Sequence, residues 1–248
     1  MITRPAHQAG KLIEGISSAG GETFLFPTLD IIAAEPSKEN TAIIDKINQF
    51  DIIIFISPNA VEHGINLIQK SARLSKSTQL ATIGQGSAKA LKTKLGVQPD
   101  ISPQEIFSSE GLLDTAGLQN VADKNILIIR GTSGREKLKE TLEQRGAHIE
   151  YLNAYQRVKP ATDTTELEQY LQNNKIAAIV ITSGESLKNL LELTPKNVIQ
   201  QLLKAPLLLI NKRLTDIAKK AGFTGDLNIA TEASDDSIIK GLKDSYLS

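Results

Sequence analysis

The feature that most constrains this chain is that it repeats itself once, at about half its length. Displaced by 126 positions, Ile2-Thr3-Arg4-Pro5 falls on Ile128-Ile129-Arg130-Gly131, Lys11-Leu12 on Lys137-Leu138, and Gly20 on Gly146. The same displacement lays Asp51–Ser57 on Ala177–Ser183, two apolar runs ending in serine, and Gly96 on Gly222. The block from Ile83 matches the block from Ile210 at 127. Nearly one offset held across four blocks predicts two related halves, each a copy of one folding unit.

Each half alternates short apolar runs with longer amphipathic stretches. Strands are expected at Asp51–Ile56, Leu80–Ile83, Asn125–Ile129, His148–Leu152, Ala177–Thr182 and Pro206–Ile210. Most are rich in β-branched residues and lack polar alternation, the mark of strands covered on both faces in parallel sheets. Helices are expected at Gln8–Ala19, Ala60–Arg73, Ser87–Leu95, Gly134–Arg145, Glu185–Leu193, Leu214–Ala221 and Asp235–Ser245. In one of them Leu138 and Leu142 lie four apart, on one face. The alternation predicts an α/β fold with parallel sheets flanked by helices. Breaks rich in proline and polar residues fall at Leu29–Asn40, with Pro36, and Tyr155–Thr165, with Pro160, at matching places in the two halves.

Composition removes several function classes. The 248 residues hold no cysteine, which excludes disulfides, thiolate metal sites and a cysteine nucleophile. Lys plus Arg and Asp plus Glu both number 28, so the basic excess of a nucleic-acid binder is missing. No run approaches the roughly 18–20 apolar residues of a membrane span. No apolar signal core follows Met1. The expectation is a cytoplasmic protein that meets neither membrane nor nucleic acid.

Four strand-to-helix turns share small or polar residues: Ser57-Pro58-Asn59-Ala60, Gly84-Gln85-Gly86-Ser87, Gly131-Thr132-Ser133-Gly134 and Ser183-Gly184-Glu185-Ser186. Free N–H groups at such turns favour anions, and in open α/β sheets they lie where ligands bind. The same residues also serve ordinary helix capping. Other constellations are missing. There is no phosphate-binding G-x-x-x-x-G-K-[ST], and Gly84-Gln85-Gly86 lacks a third glycine. His7, His63 and His148 have no metal-ligand spacing, and no acid pair suggests a general acid and base. This pattern suits a binding protein, or an enzyme whose substrate is already reactive and mainly needs its shape controlled.

The motifs together resemble the uroporphyrinogen-III synthase family. They are Thr3-Arg4-Pro5 after an opening strand, Ser57 to Val61, Ile83 to Leu91, and Ser109 to Leu113. The longest stretch runs from Leu127 to Ala147 and is followed by Tyr155-Gln156-Arg157; Thr182-Ser183 completes the set. One departure is Ile210-Asn211-Lys212-Arg213-Leu214, where many relatives repeat a small hydroxyl turn; here Arg213 offers itself as a carboxylate partner.

The resemblance implies two similar domains joined by two extended connectors, domain one from residues 1–33 with 160–248 and domain two from 34–159. A monomer is expected, and the absence of cysteine, of a histidine cluster and of a phosphate loop predicts that no metal or organic cofactor is needed. The implied substrate is hydroxymethylbilane, a linear tetrapyrrole polycarboxylate that closes with loss of water and inversion of its last ring. It assigns Tyr155 to catalysis, as proton donor to the leaving hydroxyl, or else to packing of the connector. Substrate contacts fall to Arg4, Ser57, Asn59, Ala60, Gly84, Gly86, Ser87, Ser109, Arg130, Gly131, Ser183, Gly184 and Arg213. The rival from another class is a two-domain binding protein that closes on an anionic metabolite without chemistry. A nucleotide-dependent enzyme is disfavoured by the missing phosphate loop.

Overall fold

A computed structural model of the chain describes residues 1–35, 37–70, 72–134 and 136–246. Pro36, Ser71 and Arg135, which the sequence placed in a linker and in two helices, lie outside the described residues, as do Leu247 and Ser248. The chain forms two compact units: unit 1 is Met1–Asp30 with Val158–Ser248, and unit 2 is Ile31–Arg157.

Unit 2 is built on a five-stranded sheet. Its strands are β1 (Asp30–Ala33), β2 (Ile52–Phe55), β3 (Gln79–Thr82), β4 (Asn125–Gly131) and β5 (His148–Val158), in the order β1-β5-β4-β2-β3. The pairs β2–β3, β2–β4 and β4–β5 are parallel. Alternate side chains feed two cores. One face carries Ile53, Phe55, Leu127 and Ile129 and packs against α2 (Lys38–Asp45), α3 (Pro58–Gln69) and α4 (Gln85–Leu95). The other carries Ile52, Ile54, Ile126 and Ile128 and packs against α5 (Ser109–Leu113) and α6 (Lys137–Gln144). Burial on both faces is why these strands read as continuous apolar runs.

Unit 1 has a parallel sheet of β6 (Ile179–Ile181), β7 (Leu207–Leu209) and β8 (Leu227–Ile229), in that order. Parallel bridges extend it through Ile2 to Leu25. One core lies under α7 (Thr165–Gln172), α8 (Gly184–Leu193), α9 (Ile199–Lys204) and α10 (Lys212–Lys220). The other lies under α1 (Ala6–Ser18) and α11 (Asp235–Tyr246).

The sequence repeat reappears as a repeat of register. One row of paired residues crosses unit 2 as Tyr151, Ile128, Ile54, Ala81 and Ile101. The corresponding row in unit 1 is Leu25, Ile2, Val180, Leu208 and Asn228. Taken in order, the numbers differ by 126, 126, 126, 127 and 127. The matched glycines agree as well: Gly20 and Gly146 have φ of 83° and 85°, Gly96 and Gly222 have 75° and 93°. Each follows a helix in the left-handed region, where a side chain is strained, so both copies keep glycine there.

Several sequence expectations need correction. Tyr155 does not lie in a linker: it is in β5, which continues to Val158, and it is buried with 3% of its surface exposed. The run Leu29–Asn40 contains β1 and the first turn of α2. Strands β1 and β8 escaped detection because they are short and only partly buried, so neither shows a long apolar run. Helices α2, α5, α7 and α9, of five to eight residues, also went unread; α5 and α9, with five and six, are too short to show a helical period.

Candidate functional site

In unit 2 the predicted residues collect at the carboxyl ends of the strands. Ser57 ends the run of β2 and caps α3: its Oγ accepts from the Ala60 N–H at 3.1 Å, with Pro58 in the first turn, where a missing N–H costs nothing. The same Oγ lies 3.1 Å from the Tyr155 hydroxyl. The Tyr155 ring packs on Gly131, where a β-carbon would come within 2.8 Å of Cε2. Only glycine leaves room for the ring at that height. His63, one and a half turns into α3, faces the same ring at 5.8 Å between centroids. Gly86 lies against Pro58, and Gly84, the N-cap of α4, lies near Phe107. Ala60 and Ser87 are buried; Asn59 is half-buried.

Arg130 and Ser109 meet at a cavity of about 340 Å³ floored by Ile56, Ile83, Ile128 and Leu138. Arg130 stands where the β4–β5 register shifts, with 5% of its surface exposed. Its Nη1 donates to Glu136 Oε1 at 2.8 Å, and its Cζ sits 4.5 Å from the centre of the Tyr151 ring. The Tyr151 hydroxyl donates to Glu136 Oε2 at 2.8 Å. Hydrogen bonds from Arg130 and Tyr151 hold the Glu136 carboxyl below the usual carboxylate range. Burial, then the hydrogen bond to Glu136, pushes the Tyr151 phenol up to about 12. The Nε of Arg130 is buried with no hydrogen-bond partner.

Unit 1 repeats the scheme with different chemistry. Ser183 caps α8, its Oγ accepting from Ser186 N–H at 2.9 Å, and Gly184 opens the helix. Arg4 pairs with Asp235 at the start of α11. Beneath lies a buried hydroxyl chain. Thr28 Oγ1 is 2.7 Å from Ser186 Oγ, which donates to Thr3 Oγ1 at 2.9 Å, which donates to the Val180 carbonyl at 2.7 Å. Arg213, the second residue of α10, is exposed behind the Asn211 cap.

Sequence reasoning missed Glu136, Tyr151 and the Thr3–Thr28–Ser186 chain. Glu136 lies within the longest motif, yet nothing there marks it as the partner of Arg130. Thr28 carries no sequence signal, because its partners are 25 and 158 positions away. Larger cavities of about 560 and 840 Å³ lie at the opposite, amino-terminal ends of the two sheets and include none of the predicted residues. Size alone does not locate this site; the helix N-termini and small-residue turns are at the carboxyl ends. Among the described residues no cluster of three His, Cys, Asp or Glu could hold a metal, and no helix is long and apolar enough to cross a membrane.

The chain is 31% identical over 246 residues to uroporphyrinogen-III synthase of Salmonella typhimurium, covering 98% of this chain and 99% of that one. It is 29% identical over 245 residues to the Escherichia coli enzyme of the same name, with 98% and 99% covered. Two solved structures share the fold. Uroporphyrinogen III synthase of Thermus thermophilus, in a mutant form, matches with a TM-score of 0.65 and 17% identity over 98% of this chain and 97% of that one. The Helicobacter pylori protein matches with 0.57 and 14% over 87% and 90%. The family model described as uroporphyrinogen-III synthase HemD matches residues 10–240. A match over that span, with relatives aligned almost end to end, places the chain in the uroporphyrinogen-III synthase family, cyclising enzymes of tetrapyrrole synthesis.

Proposed function

We propose that the chain closes hydroxymethylbilane to the ring with its last pyrrole inverted, and that Tyr155 donates the proton with which the terminal hydroxyl leaves as water. The observation that carries this reading is the Tyr155 hydroxyl held at 3.1 Å by Ser57, at the carboxyl end of the unit 2 sheet. Ser57 already accepts the Ala60 N–H, so its own proton is free to go to the phenol oxygen. The phenol proton is then unspent and available to a leaving group. Electron density from the pyrrole nitrogen drives the departure, so one modest acid suffices. The remaining work is to hold the reactive cation and its carboxylates in a closing geometry, which backbone N–H groups and arginines at these turns supply.

On this reading, substrate contacts come from Arg4, Ser57, Asn59, Ala60, Gly84, Gly86, Ser87, Ser109, Arg130, Gly131, Ser183, Gly184 and Arg213. The two compact units are the two domains, and the chain crosses between them at Asp30–Ile31 and Arg157–Val158. The protein acts as a cytoplasmic monomer, without metal, organic cofactor or nucleic acid; zero net charge supports the last of these, and the absence of cysteine suits a reducing compartment and rules out thiolate metal sites. Incubation with hydroxymethylbilane followed by separation of the isomers tests the proposal. The inverted isomer should dominate. Tight binding with only the symmetrical isomer formed would overturn the catalytic reading in favour of a binding protein.

A further inference from the structure

The two copies of the folding unit are packed differently at one place. In unit 1 the chain between α8 and β7 folds as α9, and the chain after α10 turns at Gly222 into Phe223. Val198, Leu202 and Phe223 are all buried there, in one core with Leu190 and Ala218. At the offset of 126 those three fall on Ala72, Lys76 and Val97 of unit 2. Residues 72–78 form coil and turn instead of a helix, Lys76 is exposed, and Val97 has 43% of its surface exposed. Unit 1 fills this place with its own side chains. Unit 2 has a cavity of about 840 Å³ there, with Leu74, Leu95 and Val97 on its walls above the buried Ile65 and Ile68. That volume lies in the range of small-molecule sites.

Charge is segregated at the same place. The chain as a whole is balanced, yet from His63 to Pro99 it carries Lys70, Arg73, Lys76, Lys89, Lys92 and Lys94 and no acidic residue. Arg73 and Lys76 line the cavity, and neither has an ion-pair partner among the described residues. The one carboxylate on the wall, Asp100, has its Oδ2 taken by the Leu80 N–H at 2.8 Å. An apolar hollow rimmed by unpaired cations attracts a molecule that is apolar at one end and anionic at the other.

We propose that this cavity binds an amphipathic anion of the fatty carboxylate class. Its apolar body takes the place that Leu202 and Phe223 fill in unit 1, and its carboxylate meets Arg73 and Lys76. The site is separate from the turns at the carboxyl ends of the strands: Ser57 and Gly84 cap the amino ends of α3 and α4, whereas the cavity lies at their carboxyl ends, by Ile68 and Leu95. The assignment rests on the cavity and the internal repeat, and stands apart from the reaction proposed above.

The test titrates dodecanoate into the full-length protein by calorimetry, below its micelle concentration, with dodecyltrimethylammonium as the same tail bearing the opposite charge. Dodecanoate should saturate, and the cationic tail should bind about tenfold more weakly, the size of one charge-assisted contact. The methyl resonances of Leu74 and Leu95 should shift as dodecanoate is added. Replacing both Arg73→Gln and Lys76→Gln should weaken dodecanoate about tenfold and remove the preference over the cationic tail. Val97→Phe restores the side chain that unit 1 carries. It should weaken both tails by about tenfold or more, while the unfolding midpoint holds or rises, as a filled cavity requires. If Val97→Phe does not fold, the glutamine variant and the methyl shifts decide the matter. No saturable binding in the parent, unmoved Leu74 and Leu95 methyls, or a dodecanoate affinity unchanged in the glutamine variant would overturn the site.

Discussion

Tyr155→Phe separates chemistry from packing at the centre of the proposed site. The ring stays: it is buried against Gly131 and His63, and phenylalanine fills the same space. What goes is one hydroxyl and one hydrogen bond, the 3.1 Å contact with Ser57. The stability cost is about 0.5–1.5 kcal/mol, because Ser57 keeps its cap to Ala60 and loses only the phenol. If the phenol protonates the departing hydroxyl, turnover should fall roughly 10–100-fold, less than the usual general-acid range because the substrate ionises readily. That corresponds to about 1.4–2.7 kcal/mol on the barrier. The assay is steady-state cyclisation of hydroxymethylbilane, with thermal unfolding as the folding control; KM should hardly change. Gly131→Ala gives an independent approach to the same atom. Its β-carbon would sit 2.8 Å from Cε2 and 3.0 Å from Cζ, so the hydroxyl is displaced without being removed. Overpacking should cost about 1–3 kcal/mol of stability, and turnover should fall as well. Unchanged turnover in a folded Tyr155→Phe protein would refute the donor role and leave Tyr155 as packing.

Ser57→Ala, Ser87→Ala and Ser183→Ala should each keep measurable turnover, because alanine leaves the backbone donors of these turns in place. The two capping serines, Ser57 and Ser183, should lose about 1 kcal/mol of stability with their caps, seen as a lower unfolding midpoint; complete inactivity of either folded variant would show that the side chain carries the grip. Thr28→Val should destabilise unit 1 by about 1–2 kcal/mol, since Ser186 loses one of its two hydroxyl partners, the one at 2.7 Å, and the Thr3 carbonyl loses its bond from Thr28, and an unchanged denaturation midpoint would show the hydroxyl chain to be idle. Tyr151 should titrate near 12, above the usual tyrosine value of about 10, in an ultraviolet absorbance titration. Because folding favours its neutral form, its contribution to stability is complete below pH 10 and is lost as the pH rises toward 12. Glu136→Gln should bring that titration part of the way down, burial being the larger cause, and an unshifted midpoint would contradict the Tyr151–Glu136 contact.

The strands β2, β4, β6 and β7 were legible in the sequence because each is buried on both faces, and two-sided burial writes an unbroken apolar run into the chain. The internal offset was legible for a related reason. Register in a parallel sheet is enforced residue by residue, so two copies of one sheet keep their spacing even where the side chains have diverged. The left-handed glycines at 20, 96, 146 and 222 marked the ends of four helices, as steric rules require. Ser57 and Ser183 were visible as caps because a cap is a local bond between a side chain and an N–H three residues on.

What only the tertiary structure decided is which of these residues meet, and how the two copies differ. Tyr155 looked like part of a linker because proline and polar residues follow it; the long β5 strand carries it beside Ser57, 98 positions away. Thr3, Thr28 and Ser186 form a buried hydroxyl chain in unit 1. The positions 126 away in unit 2 are Ile129, Ala154 and Ala60, all fully buried and apolar. A threonine in a strand or a serine in a helix looks ordinary until its partners converge from three distant segments. The same holds for Arg4 with Asp235 and Arg130 with Glu136: the arginines repeat in the sequence, their counter-charges do not. Local rules act over three or four residues and leave their pattern in the order of the chain. Pairings between side chains far apart depend on how separate elements are brought together, and the sequence spells out each partner without saying which one it will face.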